Sequence, residues 1–402
     1  MIPRETYISK IRPFINTDLI KVLTGIRRSG KSAMLELIKE EVLKMGVSPD
    51  QFICINFEDL SNSRLLNPQV FHEEILRQSQ TDSRKKYLFL DEIQELPGWE
   101  KPVNSLRVNS NYDIYLTGSN ATLLSGELAT FLAGRCVEIN VFPFSFKEFL
   151  FSYRQQKPET SVADGFLQYL KLGGFPFLDK LGFNETASQQ YLRDVFNSVV
   201  LKDIVKRNNI RDVDMLERLI GYVLVNIGQP FSATSISKFF LNERRKIAPE
   251  TILNYLRACS DAYLFHPIPQ KDLVGKQILS INEKYYVADH GLRQAVYLLG
   301  SQDINLVLEN MVCIEMLRRG YKVTSGRSYG QEVDFVCESN ENRLYIQVSY
   351  LLSEEQTIQR EFGVLQKIRD NFPKYVLSLD EFDLSREGIT HQNIRDFLMG
   401  DA

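Results

Sequence analysis

A glycine-rich stretch near the start of the chain combines the residue types that bind phosphate groups. It reads GIRRSGKS from Gly25 to Ser32 and fits the spacing G-x-x-x-x-G-K-[S/T] at every fixed position. Glycines let a backbone wrap a phosphate, and the N–H groups that open the next helix supply positive potential. Lys31 would reach the β- and γ-phosphates, and Ser32 would bind Mg²⁺. The predicted nucleotide-binding residues are Gly25, Ile26, Arg27, Arg28, Ser29, Gly30, Lys31 and Ser32.

Two acids follow an apolar run further along the chain. Residues 87–90 read YLFL and lead directly into Asp91 and Glu92. An aspartate at the end of such a strand holds Mg²⁺ through its water ligands, so Asp91 is predicted to share the metal with Ser32. Glu92 matches the acid that polarises the attacking water in P-loop ATPases with a catalytic glutamate. The sequence therefore predicts ATP and Mg²⁺ as ligands and Glu92 as a catalytic residue.

Two further positions are candidates for the catalytic machinery. The run YDIYLTGSN ends in Ser119 and Asn120, where a polar side chain can sense the γ-phosphate. Asn120 is the first choice, Ser119 the second, and a plain turn is the alternative. Arg135 precedes the next strand and is predicted to reach a neighbouring subunit as an arginine finger, with a structural ion pair as the alternative. The chain contains no NKxD-type guanine-reading motif, which favours ATP over GTP.

These residues need a scaffold of alternating strands and helices. Apolar runs predict strands at 19–25, 52–59, 85–93, 112–120 and 135–143. Helical spacing predicts helices at 1–18, 32–44 and 68–80. Continuous apolar strands alternating with helices indicate a parallel sheet that is buried on both faces. The predicted fold class is α/β, with a P-loop NTPase sheet of the AAA type as the first domain.

Composition limits the remaining possibilities. The 402 residues carry a formal net charge of −3, which excludes a broadly basic nucleic-acid coat. The five cysteines form no CxxC pair and are interpreted as small buried residues in a reducing compartment. No run approaches the roughly 20 apolar residues that a membrane span needs, and the N-terminus lacks a signal-peptide pattern. The chain is therefore expected to be cytoplasmic, with no membrane partner.

The pattern changes after the first domain. Residues 145–210 are mostly helical, and 211–298 have the order helix, turn, helix, hairpin, which is typical of a winged helix. Residues 299–402 indicate a small mixed α/β domain. The predicted division of the chain is thus 1–144, 145–210, 211–298 and 299–402.

Several segments carry a resemblance that covers nearly the whole chain. In chain order they are GIRRSGKS, YLFLDEIQ, YLTGSN, LAGR, FPFSFKEFL, GGFP, LKDIVKRNNI and EVDFV. Together they resemble a family of bacterial and archaeal AAA-like ATPases with a C-terminal domain of unknown function. The resemblance implies a restriction-endonuclease-like fold for the last hundred or so residues.

That implied fold normally carries an acid and a (D/E)-x-K motif on consecutive strands. Glu309, Glu332 and Asp334 stand at acidic positions of the pattern. Gln347 and Ser349, however, stand where the pattern has Glu and Lys. A neutral amide is a poorer metal ligand and a hydroxyl supplies no positive charge, so the domain is predicted to lack nuclease activity, with an active nuclease as the alternative.

The winged-helix-like segment offers a local basic patch. Arg244, Arg245 and Lys246 lie in the turn before the second helix, and Lys271, Lys276 and Lys284 lie in or near the hairpin. Only Asn254 and Arg257 of that helix could read bases. Two functions stay open: an ATP-driven motor or switch acting on DNA or other nucleic acid, and an ATP-dependent regulator that docks a protein partner. A homo-oligomer is expected if Arg135 acts between subunits.

Overall fold

A computed structural model describes residues 1–79, 83–109, 111–121, 134–273, 275, 277–297, 303–328, 330–340 and 342–400. The chain forms two compact units. The first contains Met1–Phe142 together with Asp261–Tyr263, and the second contains Pro143–Ser260 and Leu264–Ala402. The end of the first unit is close to the predicted boundary at 144. The predicted boundaries at 210 and 298 both fall within the second unit, so the four-part division stays a prediction.

The first unit is built on a parallel sheet of five strands. Its strands are β1 (Ile20–Thr24), β2 (Phe52–Asn56), β3 (Lys86–Asp91), β4 (Tyr112–Thr117) and β5 (Cys136–Asn140). Its helices are α1 (Glu5–Ile11), α2 (Lys31–Lys44), α3 (Pro68–Ser79) and α4 (Glu100–Val108). Short 3-10 turns cover Arg12–Phe14, Pro49–Gln51, Leu60–Leu66 and Ile93–Glu95. The first helix is shorter than predicted because Pro13, which lacks a backbone N–H, follows its last turn.

The apolar strands are buried because helices cover both faces of this sheet. One core cluster joins the sheet to α3 and α4 through Phe71, Val103 and Leu106. The other joins it to α1 and α2 through Ile8 and Met34. The strand order is β2-β3-β4-β1-β5, so β4 lies between β1 and β3. The carboxyl ends of β1, β4 and β3 therefore meet at one edge of the sheet, which confirms the predicted parallel α/β fold.

The second unit combines helices with a mixed sheet. Its helices are α5 (Phe146–Gln156), α6 (Val162–Leu172), α7 (Glu185–Ser198), α8 (Val213–Val225), α9 (Ala233–Asn242), α10 (Pro249–Asp261), α11 (His290–Val296), α12 (Ile304–Arg319), α13 (Glu355–Gln366) and α14 (Ile394–Met399). A 3-10 helix covers Pro176–Leu181, and a π-helical segment covers Val199–Lys206. Its strands are β6 (Pro230–Phe231), β7 (Phe265–Asp272), β8 (Gln277–Val287), β9 (Lys322–Ser328), β10 (Gln331–Ser339), β11 (Asn342–Val348), β12 (Lys374–Ser378) and β13 (Thr390–Asn393).

One sheet of eight strands runs through the second unit in the order β13-β12-β11-β10-β9-β7-β8-β6. Strand β7 pairs in parallel with β9, placing Gln270 beside Ser325. The strands of the predicted winged-helix-like segment and those of the C-terminal segment therefore share one sheet across the predicted boundary at 298. None of the helices in the described part of the chain is long and apolar enough to span a bilayer.

Candidate functional site at the carboxyl edge of the parallel sheet

The loop after β1 has a backbone that only glycine can adopt at two positions. Gly25 has a φ of +137°, and a Cβ there would lie 2.3 Å from the carbonyl oxygen of Val141. Gly30 has a φ of +100° and caps the N-terminus of α2. Both values lie in the left-handed region that side chains avoid. The loop consequently delivers the start of α2 directly after the strand, as the motif predicts.

Lys31 lies folded over this loop. Its side chain is buried, and Nζ donates hydrogen bonds to the carbonyl oxygens of Gly25 at 3.0 Å and Ile26 at 3.1 Å. The Ser29 side chain is also buried, and its Oγ has no hydrogen-bond partner among the described residues. A buried polar atom without a partner is rare in folded proteins, so this hydroxyl is compatible with a polar ligand in the loop.

Arg4 braces the loop from the N-terminal segment, and sequence reasoning missed it. Its guanidinium donates to the carbonyl oxygen of Ser29 at 3.2 Å and to that of Phe142 at 2.8 Å. The same group lies 4.5 Å from the ring centroid of Tyr7. The only local signal is a single arginine before an amphipathic helix, which does not reveal a partner 25 residues away. Arg4 therefore positions the loop backbone.

Asp91 sits in a network that spans three neighbouring strands. Its Oδ1 accepts a hydrogen bond from the Thr117 hydroxyl, and its Oδ2 accepts one from Asn56 Nδ2 at 3.3 Å. Thr117 Oγ1 also accepts from the backbone N–H of Glu92 at 2.8 Å. Thr117 and Asn56 were not predicted from the sequence. Their signal is that each is the polar last residue of a strand neighbouring β3.

Ser32 and Asp91, the predicted metal ligands, line one cavity of about 610 Å³. Asn56 and Asp59 line it as well, and so does Cys54, whose exposure contradicts the expectation that all five cysteines are buried. The donors facing this cavity are mainly oxygen atoms, the ligand type that Mg²⁺ prefers. The residues present therefore fit a magnesium ion.

Glu92 has an unusual backbone conformation. Its φ is +53°, in the left-handed region, and it directly follows the last residue of β3. For a residue other than glycine this conformation costs roughly 1–3 kcal/mol, and such strain is concentrated at functional sites. Gln94 Nε2 donates a hydrogen bond to Glu92 Oε2. The carboxylate is thus held beside Asp91 by both its backbone and its side chain.

Ser119 and Asn120, the candidate phosphate sensors, follow β4 at the same edge of the sheet. Both side chains are buried. Ser119 Oγ has no hydrogen-bond partner among the described residues. Both residues follow shortly after Thr117, the last residue of β4. Which of the two senses the γ-phosphate stays a prediction.

Arg135 lies at the opposite edge of the sheet. Its carbonyl oxygen accepts a hydrogen bond from the backbone N–H of Ile20, the first residue of β1. The nucleotide loop follows Thr24, the last residue of that strand, roughly 16 Å away at 3.3 Å per residue. The Arg135 guanidinium is exposed and lies 3.4 Å from Asn104 Oδ1. The structure thus does not bring Arg135 to the site of its own chain.

A short segment from far along the chain contacts the loop-bearing strand. Asp261–Tyr263 belongs to the first unit although it follows helix α10. The Tyr263 hydroxyl donates to Glu138 Oε1 at 3.0 Å, and Thr24 Oγ1 donates to the same oxygen at 2.7 Å. Burial and the Glu138 charge raise the pKa of Tyr263, so it stays a neutral donor. One carboxylate thereby links this segment to the residue that precedes Gly25.

The acids predicted for the C-terminal segment surround a lysine. Lys284 is buried, and its Nζ lies 2.6 Å from Glu332 Oε1. Burial lowers the pKa of Lys284, but Glu309, Asp334 and Glu332 outweigh burial and the net shift is upward. Burial raises the pKa of Asp334 to about 7 and that of Glu309 well above its usual range. The cluster is therefore a partly neutralised set of acids around one buried cation.

Gln347 and Ser349, on and just after the next strand, make hydrogen bonds within the protein. Gln347 Nε2 donates to Glu361 Oε2 at 2.7 Å, and Gln347 Oε1 accepts from the backbone N–H of Asp334 at 2.7 Å. Ser349 Oγ donates to a backbone carbonyl at 3.3 Å. Among the described residues, no group of three or more His, Cys, Asp or Glu side chains could hold a metal ion. Sequence reasoning placed Lys284 in a basic patch but missed its pairing with Glu332, because that partner is 48 positions away.

Some of the basic residues predicted for the winged-helix-like segment are exposed to solvent, and others are paired with acids. Arg244 and Lys246 are exposed, and Arg245 Nη1 lies 2.5 Å from Asp214 Oδ2. Lys284 is buried against Glu332, and Lys271 Nζ lies 2.8 Å from Glu338 Oε1. Both lysines are therefore paired with acids, and Lys284 is too buried to contribute to an exposed basic patch. The remaining hairpin lysine, at position 276, lies outside the described residues.

The chain matches two family models. Residues 17–150 match an AAA domain. Residues 163–303 match a domain of unknown function (DUF8612).

Relatives occur in bacteria and archaea. An "Uncharacterized protein" of Haemophilus influenzae is 37% identical over 402 residues, covering 99% of each chain. "Uncharacterized protein MJ1544" of Methanocaldococcus jannaschii is 32% identical over 400 residues, covering 94% of this chain and 85% of the relative.

Two solved structures are among those to which the chain shows some similarity. ORC1 of Aeropyrum pernix in complex with DNA gives a TM-score of 0.31 at 11% identity, covering 74% of this chain and 92% of that one. CDC6P of Pyrobaculum aerophilum gives 0.32 at 13% identity, covering 66% and 89%. Scores this low support no conclusion about this chain. The family models and the full-length relatives do show that the chain belongs to the bacterial and archaeal family in which an AAA domain precedes this domain of unknown function.

Proposed function

We propose that the first unit binds ATP with Mg²⁺ and hydrolyses it to ADP and phosphate. The observation that carries this proposal is the shared cavity of Ser32 and Asp91 beside the loop that holds Lys31. The loop N–H groups and the start of α2 would bind the phosphates. Phosphate oxygens would replace the carbonyl oxygens of Gly25 and Ile26 as acceptors for Lys31. Mg²⁺, when bound, would neutralise charge on the transferred phosphoryl group.

Glu92 is proposed as the general base. Its carboxylate would accept the proton of the attacking water while Asp91, held by Thr117 and Asn56, faces the metal. The buried side chains of Ser119 and Asn120 would sense the γ-phosphate. Arg135 would act only on the site of a neighbouring copy, because it lies at the far edge of its own sheet. The proposal therefore includes a homo-oligomer in which sites are shared.

Nucleic acid is the first candidate for what ATP hydrolysis acts on. Its support is the order β6, α9, α10, β7, β8, in which β6 and β7 flank β8, as in a winged helix. Arg244 and Lys246 are exposed in the turn, and Asn254 and Arg257 are exposed on the second helix. Phosphate contacts from the turn would position the helix for base contacts.

A protein partner is the second candidate, and a specific observation favours it. Phe239, Leu241 and Leu253 expose 41%, 59% and 53% of their surface on or beside the same pair of helices. Exposed apolar side chains on these two helices favour a protein partner, because exposed apolar patches mark protein-interaction sites. Binding of nucleic acid that weakens steeply with salt would support the first candidate, and co-purification of a protein lost in Leu241→Ser/Leu253→Ser would support the second.

Nucleotide binding tests the central proposal. Lys31→Ala is expected to raise the Kd for ATP at least 100-fold in isothermal titration, because the phosphates lose their main cation. Lys44→Ala, at an exposed lysine of the same helix, is the matched control and should bind normally. Normal ATP affinity in Lys31→Ala would overturn the site assignment.

Hydrolysis is tested separately from binding. Glu92→Gln is expected to bind ATP with an affinity within about threefold of the wild-type value and to lose at least 100-fold in turnover. Arg135→Ala is expected to lower turnover without weakening binding. Adding a Glu92→Gln chain, which keeps Arg135, should then partly restore the activity of Arg135→Ala. Full activity of Glu92→Gln would exclude it as the base.

A further inference from the structure

A second cavity, of about 540 Å³, lies within the second unit and is not part of the proposed ATP site. Its volume is within the roughly 300–1,000 Å³ of small-ligand pockets. The charged and aromatic side chains that line it are Lys271, Arg343, Lys367, Arg369, Asp370, Tyr345 and Phe372. Four of these seven are basic, one is acidic and two are aromatic, a composition suited to a phosphorylated ligand that carries a ring.

The positive charge at this cavity exceeds the local negative charge. Glu338 accepts from Lys271 at 2.8 Å and from Arg343 Nε at 2.9 Å, so one carboxylate serves two cations. Among the described residues, Lys367 donates only to the neutral amide oxygen of Gln331, at 2.6 Å. Arg369 is exposed and has no ion-pair partner in the part of the chain that the structure describes. Asp370, the acid in the lining, lies 3.4 Å from Lys374 Nζ, so the cavity keeps an excess of positive charge and attracts an anion.

The dipole of helix α13 accounts for the position of only two of these four basic side chains. Lys367 and Arg369 follow the C-terminus of that helix, where cations are favoured. Lys271 and Arg343, however, come from β7 and β11, which are not consecutive in the sheet. Two strands and a helix end thus contribute cations to one cavity, which a helix dipole does not require.

The aromatic residues add a stacking surface. Phe372 exposes 37% of its surface, and the guanidinium carbon of Arg343 lies 5.3 Å from its ring centroid. The Tyr345 hydroxyl donates to Asp370 Oδ2 at 2.6 Å, which fixes that ring in the wall. A cationic cleft beside an exposed ring is the combination by which proteins hold single strands, because bases stack on the ring and phosphates meet the cations.

We infer that this cavity binds one nucleotide unit of a single-stranded nucleic acid. Arg343, Lys367 and Arg369 hold the phosphate, and Phe372 stacks on the base. A duplex offers no free base face to Phe372, because its bases are stacked on each other. All the residues lining this cavity belong to the second unit, so the inference does not rest on ATP hydrolysis.

Fluorescence anisotropy with a labelled 20-nucleotide oligo-dT and the full chain tests the inference. Lys367→Gln/Arg369→Gln is expected to raise the Kd at least tenfold and to lower the salt slope by roughly 1.4, at 0.7 per lost phosphate contact. Lys171→Gln/Lys180→Gln removes the same charge from exposed positions of the same unit and should change the Kd less than twofold. An equal loss in both pairs, or no loss in the first, would overturn the site.

A second variant tests stacking without changing charge. Phe372→Leu is expected to weaken oligo-dT binding about five- to tenfold and to leave binding of an abasic strand unchanged. Equal loss with the abasic strand would remove the stacking role. Duplex binding as tight as single-strand binding, or displacement of the strand by micromolar inorganic phosphate, would assign the cavity to another ligand. Binding of a fluorescent ATP analogue should be normal in every variant, which separates failure here from failure of the ATP site.

Discussion

At the scale of single residues, one hydroxyl connects the two acids of the nucleotide site. Thr117 Oγ1 donates its hydrogen to Asp91 and accepts the backbone N–H of Glu92. It thus orients the predicted metal ligand and the predicted base together. Both bonds involve one oxygen atom, so the Asp91 carboxylate and the backbone of Glu92 are coupled through this hydroxyl.

Replacing this hydroxyl by a methyl group should impair hydrolysis more than binding. Thr117→Val keeps the volume but loses both hydrogen bonds, and turnover is expected to fall about tenfold, equivalent to about 1.4 kcal/mol in the barrier. The Kd for ATP should stay within about threefold. Thr117→Ser retains the hydroxyl and should keep most activity. Equal losses in both variants, measured by steady-state kinetics and titration, would mean that packing rather than hydrogen bonding matters.

At the scale of elements, the order of the strands decides which residues meet. Because β4 lies between β1 and β3, its last residue is placed between the phosphate loop and Asp91. The segment Asp261–Tyr263 adds a contact from outside the sheet through Glu138 to Thr24. Tyr263 and Thr24, the last residue before the loop, therefore share one carboxylate as acceptor.

Tyr263→Phe tests that contact. Phenylalanine preserves the ring and removes the hydroxyl. Urea denaturation should show that the free energy of unfolding falls by only about 1 kcal/mol. The KM for ATP or the turnover is expected to change three- to tenfold, because Glu138 loses one of its two donors. Tyr255→Phe, at a tyrosine on α10 itself, is the control. Unchanged kinetics in Tyr263→Phe would assign the bond a purely structural role.

The elements also show how much of the fold and of the site can be predicted from the sequence. The strands and the phosphate loop were predictable within a few residues, because apolar runs, glycines and the GK[S/T] pattern are local signals. Thr117, Arg4 and the ion pair of Lys284 with Glu332 were not, because the partners are brought close only by strand order and chain packing. Arg135, at the far edge of the sheet, stays a predicted arginine finger for a neighbouring subunit, because a single chain does not show what its exposed side chain meets in an oligomer.

At the scale of the whole molecule, the buried acids of the second unit make stability depend on pH. Burial raises the pKa of Asp334 to about 7, so the folded chain keeps a proton that an unfolded aspartate has lost above pH of about 4. Stability should therefore fall as the pH rises from about 4 to about 7, because the folded state binds more protons in that window.

Asp334→Asn should flatten this dependence. Asparagine keeps an oxygen that can accept from the Val348 N–H but carries no ionisable proton. The difference in unfolding free energy between pH 5 and pH 8 is expected to shrink by on the order of 2 kcal/mol. Urea denaturation at several pH values measures it, and Glu159→Gln, at an exposed acid of the same unit, is the control. An unchanged slope in Asp334→Asn would show that the acid titrates normally.

The eight-stranded sheet limits how this architecture can be cut or recombined. Strand β9 pairs with β10 on one side and with β7 on the other, and β7 precedes β9 by more than 40 positions. A fragment that begins at residue 299 would leave the β7 side of β9 as an unprotected edge, and the complementary fragment would expose β7. Such edges recruit strands from other chains. The C-terminal hundred residues are therefore not expected to fold as an independent domain. Separately expressed halves are expected to aggregate or to reassemble with each other.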